Sequence, residues 1–185
     1  MANLDAPNGL KPVRHLTGGV IRTEEFKIES GSSTAIFTGD CVKLLSTGYI
    51  DECDAGDRIL GVFAGCSYAN SSGEQVFSRQ WTASATTQGS VDVTAYVYSD
   101  PQIVFAVQSA GSADFEDIGQ LADIVATAGD TNTGQSKHEI SGTTGTGTAG
   151  LRILGLYEEP KNAYGTNGVL EVQIYEHELS FATGV

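Results

Sequence analysis

Val91-Asp92-Val93-Thr94-Ala95-Tyr96-Val97-Tyr98 alternates apolar and polar side chains without interruption, and a period of two belongs to a strand with one face toward a core. Val91, Val93, Ala95 and Val97 share the inward face, while Asp92, Thr94, Tyr96 and Tyr98 share the other. Ser99-Asp100-Pro101 stops the run, and Ile103-Val104-Phe105-Ala106-Val107-Gln108 follows as a nearly continuous apolar strand. Upstream, Phe26-Lys27-Ile28-Glu29, Ala35-Ile36-Phe37 and Val42-Lys43-Leu44-Leu45 are cut apart by Ser30-Gly31-Ser32-Ser33, Gly39-Asp40 and Thr47-Gly48. Ile59 to Ala64 is a continuous apolar run; Leu151 to Tyr157 and Val169 to Tyr175 are the last strands, joined by the Asn/Gly-rich stretch 159–168. Strands this short and this evenly punctuated predict an all-β fold, a small barrel or sandwich with long loops.

An internal echo supports that reading. Phe37-Thr38-Gly39-Asp40-Cys41-Val42-Lys43-Leu44-Leu45-Ser46-Thr47-Gly48 is answered by Asp117-Ile118-Gly119-Gln120-Leu121-Ala122-Asp123-Ile124-Val125-Ala126-Thr127-Ala128-Gly129. Each half then reaches a shared phrase, Arg58-Ile59-Leu60-Gly61-Val62 and Arg152-Ile153-Leu154-Gly155-Leu156. A repeated β-unit follows, the second carrying an inserted Thr/Gly/Ser loop. That loop, about 130–149, is too poor in apolar residues to pack and is expected to be mobile or shaped by a neighbour. The period of Phe115, Ile118, Leu121, Ala122 and Val125 also fits a short helix, but the echo assigns turn and strand there, leaving a helical turn around Phe115 to Gly119 as the alternative.

The chain has 185 residues, 40% of them hydrophobic, enough for one domain with a real core. Residues 1–20 read as an extended N-terminal arm and 21–185 as a single β-barrel body. Pro7 and Pro12 bias Ala6 and Lys11 toward extended conformations, and Leu4, Leu10, Val13 and Leu16 would gain from docking on another surface. No apolar run approaches the roughly 20 residues of a membrane span, and no secretion-signal pattern opens the chain, so no membrane partner and synthesis in the cytoplasm are expected. The net charge is -13, which argues against direct nucleic-acid binding. Residues 1–23 run the other way, with Lys11, Arg14 and Arg22 against Asp5 alone; a basic arm on an acidic body suits docking onto a neighbouring copy.

Residue types that carry chemistry are sparse. Cys41, Cys53 and Cys66 are odd in number and lack a Cys-x-x-Cys pair, so reduced thiols are expected. His15, His138 and His177 show no metal-ligand spacing, and no Gly-x-Ser-x-Gly elbow exists. Glu176-His177-Glu178 is the best local group, but on a strand the carboxylates and the imidazole would face opposite ways. Asp51-Glu52-Cys53-Asp54-Ala55-Gly56-Asp57 resembles a calcium loop in composition only and reads as an acidic turn. No catalytic, cofactor or metal residue is therefore assigned. Trp81, Tyr96 and Tyr98 are candidates for a sugar-binding platform.

The stretch Met1 to Arg14, the Phe37-Thr38-Gly39-Asp40 turn, Arg58-Ile59-Leu60-Gly61-Val62, Arg152 to Leu156, Pro160-Lys161-Asn162-Ala163-Tyr164-Gly165 and Ile174-Tyr175-Glu176-His177-Glu178-Leu179 occur in the same order along almost the whole chain. Together they resemble a group of small head structural proteins of tailed bacteriophages. The resemblance implies a capsid cement or decoration protein: a non-enzymatic β-barrel module with an N-terminal arm, clamped on the outside of an icosahedral shell, commonly as trimers. It implies a homotrimer bound to the major capsid protein on the virion surface, with no cofactor. Leu10, Pro12, Val13 and Arg14 are the arm residues expected to grip an adjacent copy or the capsid protein. The alternative expectation is a virion-surface carbohydrate-binding β-module used in host attachment.

Overall fold

In the computed structural model, which describes residues 3–145, 147 and 149–180, the chain is nearly all β, with two short 3-10 turns at Gln88–Ser90 and Phe115–Asp117. Met1 and Ala2 of the expected arm, Thr146 and Thr148 of the expected loop, and residues 181–185 lie outside the described residues. Strand β1 (Lys11–His15) precedes a first set of strands: β2 (Glu24–Ile28), β3 (Ile36–Phe37), β4 (Cys41–Leu44), β5 (Ile50–Glu52), β6 (Gly61–Ala69), β7 (Gln75–Ser78), β8 (Gln80–Trp81) and β9 (Val93–Tyr98). The second set comprises β10 (Ile103–Gln108), β11 (Ser112–Ala113), β12 (Leu121–Ala122), β13 (Ile124–Val125), β14 (Glu139–Ile140), β15 (Leu151–Leu156), β16 (Gly165–Thr166) and β17 (Val169–Ile174).

The two sets build the same thing twice. The first sheet runs β2-β9-β6-β4-β5 and the second β1-β10-β17-β15-β12; β2, β4, β6 and β9 thus correspond to β10, β12, β15 and β17. Small pairs match as well, β3 with β8 and β11 with β16. Hydrogen bonds fix the correspondence residue by residue. Asp40 N–H donates to Phe37 O, Gly39 N–H to Phe63 O and Phe63 N–H to Asp40 O; in the second unit Gln120 donates to Asp117, Gly119 to Ile153 and Ile153 to Gln120. Gly39 and Gly119 both take positive φ, +101° and +87°, a conformation that glycine enters without strain. Each central strand also carries an extra residue at the same place, Ala64 in β6 and Leu154 in β15, where the ladder to β9 or β17 slips by one.

Burial follows the repeat. Ile28, Ile36, Val42, Leu60, Phe63, Trp81, Val93, Ala95 and Val97 form one cluster inside the first sheet. Phe105, Val107, Ile140, Leu151, Ile153, Leu170 and Val172 form a second. Cys41, Cys53, Ile59 and Val62 belong to the first unit by sequence but pack into the second core, joining the two. Each fully buried large aliphatic side chain contributes about 1.5–3 kcal/mol before ordering costs. The all-β expectation holds in its sandwich-like form: among the described residues the strands make open antiparallel sheets with no closed barrel, and their buried side chains gather in two cores.

Two local expectations need correction. Val91 lies ahead of β9 and is exposed, so the inward stripe begins at Val93. The middle of the 130–149 loop packs against the body: Ser136, His138 and Ile140 are fully buried, and β14 pairs with β13. The turn at Phe115–Asp117 is the helical alternative, held by an Asp114/Asp117 capping box, and strand resumes at Leu121 as the echo required.

Candidate functional site

The N-terminal segment lies along its own body. Leu10 is 1% exposed and belongs to the second core, and its N–H donates to Gly39 O. Pro12 and Val13 are half-buried in β1, which pairs antiparallel with β10 and bulges at Val13. Arg14 is exposed and donates through Nε and Nη2 to Glu171 Oε2 at 3.1 and 2.6 Å. Further out, Asn3 bonds the backbone of Ala163 and Thr166, and Ala6 N–H donates to Gln108. Of the four expected interface residues, Leu10 thus supports the chain's own core, while Leu4, Leu16 and Val20 expose apolar surface.

Other candidates disperse. Glu176-His177-Glu178 follows the end of β17 in a bend and turn. His177 is buried and accepts Leu179 N–H on Nδ1, and burial pulls its pKa down. The acidic turn is closed by Asp57, which accepts Asp54 N–H and pairs with Lys43 Nζ at 2.6 Å. Of the expected aromatic platform, Trp81 is fully buried against Tyr68 at 5.4 Å between ring centroids and is not presented to a sugar, while Tyr96 and Tyr98 are half-buried.

One constellation was not anticipated: Asp40, Glu52 and His138. The Phe37–Asp40 turn supplies Asp40, the end of β5 supplies Glu52, and the packed loop supplies His138. Their donor atoms all lie within 4.8 Å of one another. His138 Nε2 is 2.9 Å from Glu52 Oε1 and 3.4 Å from Asp40 Oδ1. Asp40 Oδ2 accepts Phe37 N–H at 2.6 Å, whereas Oδ1 is buried with no hydrogen-bond partner.

The backbone decides what this group can hold. Cys41 N–H donates to His138 Nδ1 at 3.3 Å; an amide is only a donor, so Nδ1 keeps its lone pair and the ring proton sits on Nε2, facing the carboxylates. A metal on Nε2 would force the ring proton onto Nδ1, against the Cys41 amide. In this hydrogen-bonding state His138 Nε2 presents a donor, not a lone pair, to the two carboxylates. Burial pushes the Asp40 carboxyl up to about 6, against the opposing pull of His138, Ser136 and the Phe37 amide. Asp40 and His138 are both sealed from solvent, and the trio fastens three segments of the chain together.

The fastening has neighbours that act with it. Ser136 N–H donates to Thr38 O and Thr38 N–H to Gly134 O, and Gln135 Nε2 donates to the carbonyls of Asn8 and Thr38. N-terminal segment, turn and loop therefore meet at one knot. No protein-family model, curated protein or solved structure matches the chain.

Proposed function

We propose that this chain is a non-enzymatic coat-stabilising protein that binds the outside of a phage head at junctions between major capsid protein subunits and acts as a homotrimer. The reading rests on the resemblance drawn from the sequence. The structural observation that carries it is a duplicated β scaffold, internally fastened, with apolar side chains left on its surface. Leu4, Val20, Phe77 and Phe115 are each more than two-thirds exposed, and exposed large apolar groups on a well-packed body suit adhesion. A clamp of this kind stabilises a shell only when it prefers the mature lattice over the precursor.

Deleting the arm would not test this, because residues 10–15 belong to a core and a sheet. The sharper variant is Leu4→Asp with Val20→Asp, which leaves both cores intact. Expected are a trimer by sedimentation and binding to expanded shells but not to unexpanded ones, with binding weakened at least tenfold in the double variant. A monomer that pellets with neither kind of shell would remove the reading.

A further inference from the structure

The duplication gives each unit an equivalent outer edge, and among the described residues a strand is hydrogen-bonded along only one of the two. In the second unit β1 pairs with Ile103–Ala106 of β10. The pairing of Phe105 with Val172 and of Glu24 with Val97, with Val172 and Val97 in matching places, makes Ile103–Ala106 equivalent to residues 22–25. Ile103, Val104, Phe105 and Ala106 are buried beneath their cover. Arg22, Thr23, Glu24 and Glu25 are exposed, and among the described residues no strand pairs with the outer side of β2. A sheet edge of this kind presents unpaired N–H and C=O groups ready to accept a strand.

We infer that the open edge of β2 over residues 22–25 is a strand-docking site for an extended basic segment of a partner protein. Two observations choose the occupant. The segment that fills the equivalent edge is basic, carrying Lys11 and Arg14, and Arg14 reaches across to a carboxylate on the sheet, Glu171. The open edge offers the carboxylate of Glu25, with Glu29 just beyond and Glu24 held beside it by Arg22 and Ser99, and carboxylates along an edge draw in a basic strand. The chain's own β1 cannot serve both edges, since Leu10 is built into the second core. On the coat-protein reading the partner would be the major capsid protein; the docking edge itself does not depend on that reading.

The probe is a ten-residue peptide spanning Asn8–Thr17, the segment already fitted to the equivalent edge, added to the full-length protein beside its K11E/R14E version. Expected are binding of the basic peptide at least tenfold tighter than the acidic one, slowed amide exchange at residues 22–25, and at least tenfold weaker binding to Glu24→Lys/Glu25→Lys protein. Those side chains are exposed, so this variant keeps its fold; an unchanged circular dichroism spectrum checks that. Protection only at residues 103–106, meaning exchange with β1, or no binding at millimolar peptide would overturn the inference. So would self-association of the protein alone that the same charge reversal abolishes, because the edge would then belong to a second copy. If shells are not bound but the peptide is, the edge stands and the coat-protein reading falls.

Discussion

Asp40 carries the largest electrostatic consequence for stability. Its carboxyl is raised to about 6 from the ordinary 3.8, chiefly by burial, so between those values the folded chain holds a proton that the unfolded chain has released. Stability therefore falls as pH rises through that window and is flat above it, by about 3 kcal/mol in all as an order of magnitude. Asp40→Asn keeps an acceptor for Phe37 N–H and places a donor where the proton would sit. Urea unfolding should show the variant at least as stable as wild type at pH 7.5, and its stability change between pH 5.0 and 7.5 should be smaller than that of wild type by about 1 kcal/mol. Equal slopes in the two proteins would remove Asp40 as the titrating group. The thiols make a simpler case: burial raises Cys41 and Cys53 far above their usual range and Cys66 to about 12. All three should resist alkylation at pH 8 in the native state and react together in denaturant. None of the Asp40–Glu52–His138 grouping was legible in the sequence, because His138 lies 86 residues from Glu52 and 97 from Cys41. The only local hint was a histidine standing alone in a Thr/Gly/Ser loop just before Glu139-Ile140.

At the scale of elements, the repeat was readable in its weaker half and misleading in its stronger one. The echo holds position for position from Phe37 and Asp117 to Val42 and Ala122, down to the three turn hydrogen bonds, and parts after that, where β4 runs on to Leu44 and its counterpart breaks at Asp123. The identical phrase Arg-Ile-Leu-Gly does not hold: by pairing, Arg152 opposes Leu121 where Val62 opposes Cys41, so Arg58 and Arg152 stand four residues apart in the common frame. Register is set by which residues oppose one another and by the bulges at Ala64 and Leu154, neither of which a string match contains. The same logic exposed the period-two run in β9 and hid β7 and β8, whose mixed faces give no clean alternation. The equivalent turns can be tested directly. At Gly119 an added methyl would stand in open space, whereas at Gly39 it would lie 3.2 Å from Ser136 Cβ and 3.3 Å from Asn8 O. Gly119→Ala should lose about 1 kcal/mol from its left-handed φ alone. Gly39→Ala should lose more, since crowding of the loop and the N-terminal segment adds to the same backbone cost. Thermal unfolding of the two variants side by side measures the difference, and an equal loss would mean that the knot around Gly39 yields without penalty.

For the whole molecule, two cores raise the question of whether the chain melts once or twice. Ile59 is the hinge of that question. It is buried in the second core though it belongs to the first unit, its N–H donates to Glu176 O, and its carbonyl accepts Glu178 N–H. Cys41, Cys53 and Val62 share the same joint, so the second core is incomplete without the first unit and the wild-type chain should unfold in a single step. The sole tryptophan makes this measurable, because Trp81 sits in the first core and reports on that unit alone, whereas far-ultraviolet circular dichroism averages both sheets. In wild type the two probes should give one midpoint in urea. Ile59→Ala leaves a cavity at the joint and should lower stability by about 2–5 kcal/mol, and with the coupling weakened the tryptophan and dichroism midpoints should separate. Separate midpoints already in wild type would show that the units are independent, and the four shared side chains would then be neighbours without being partners.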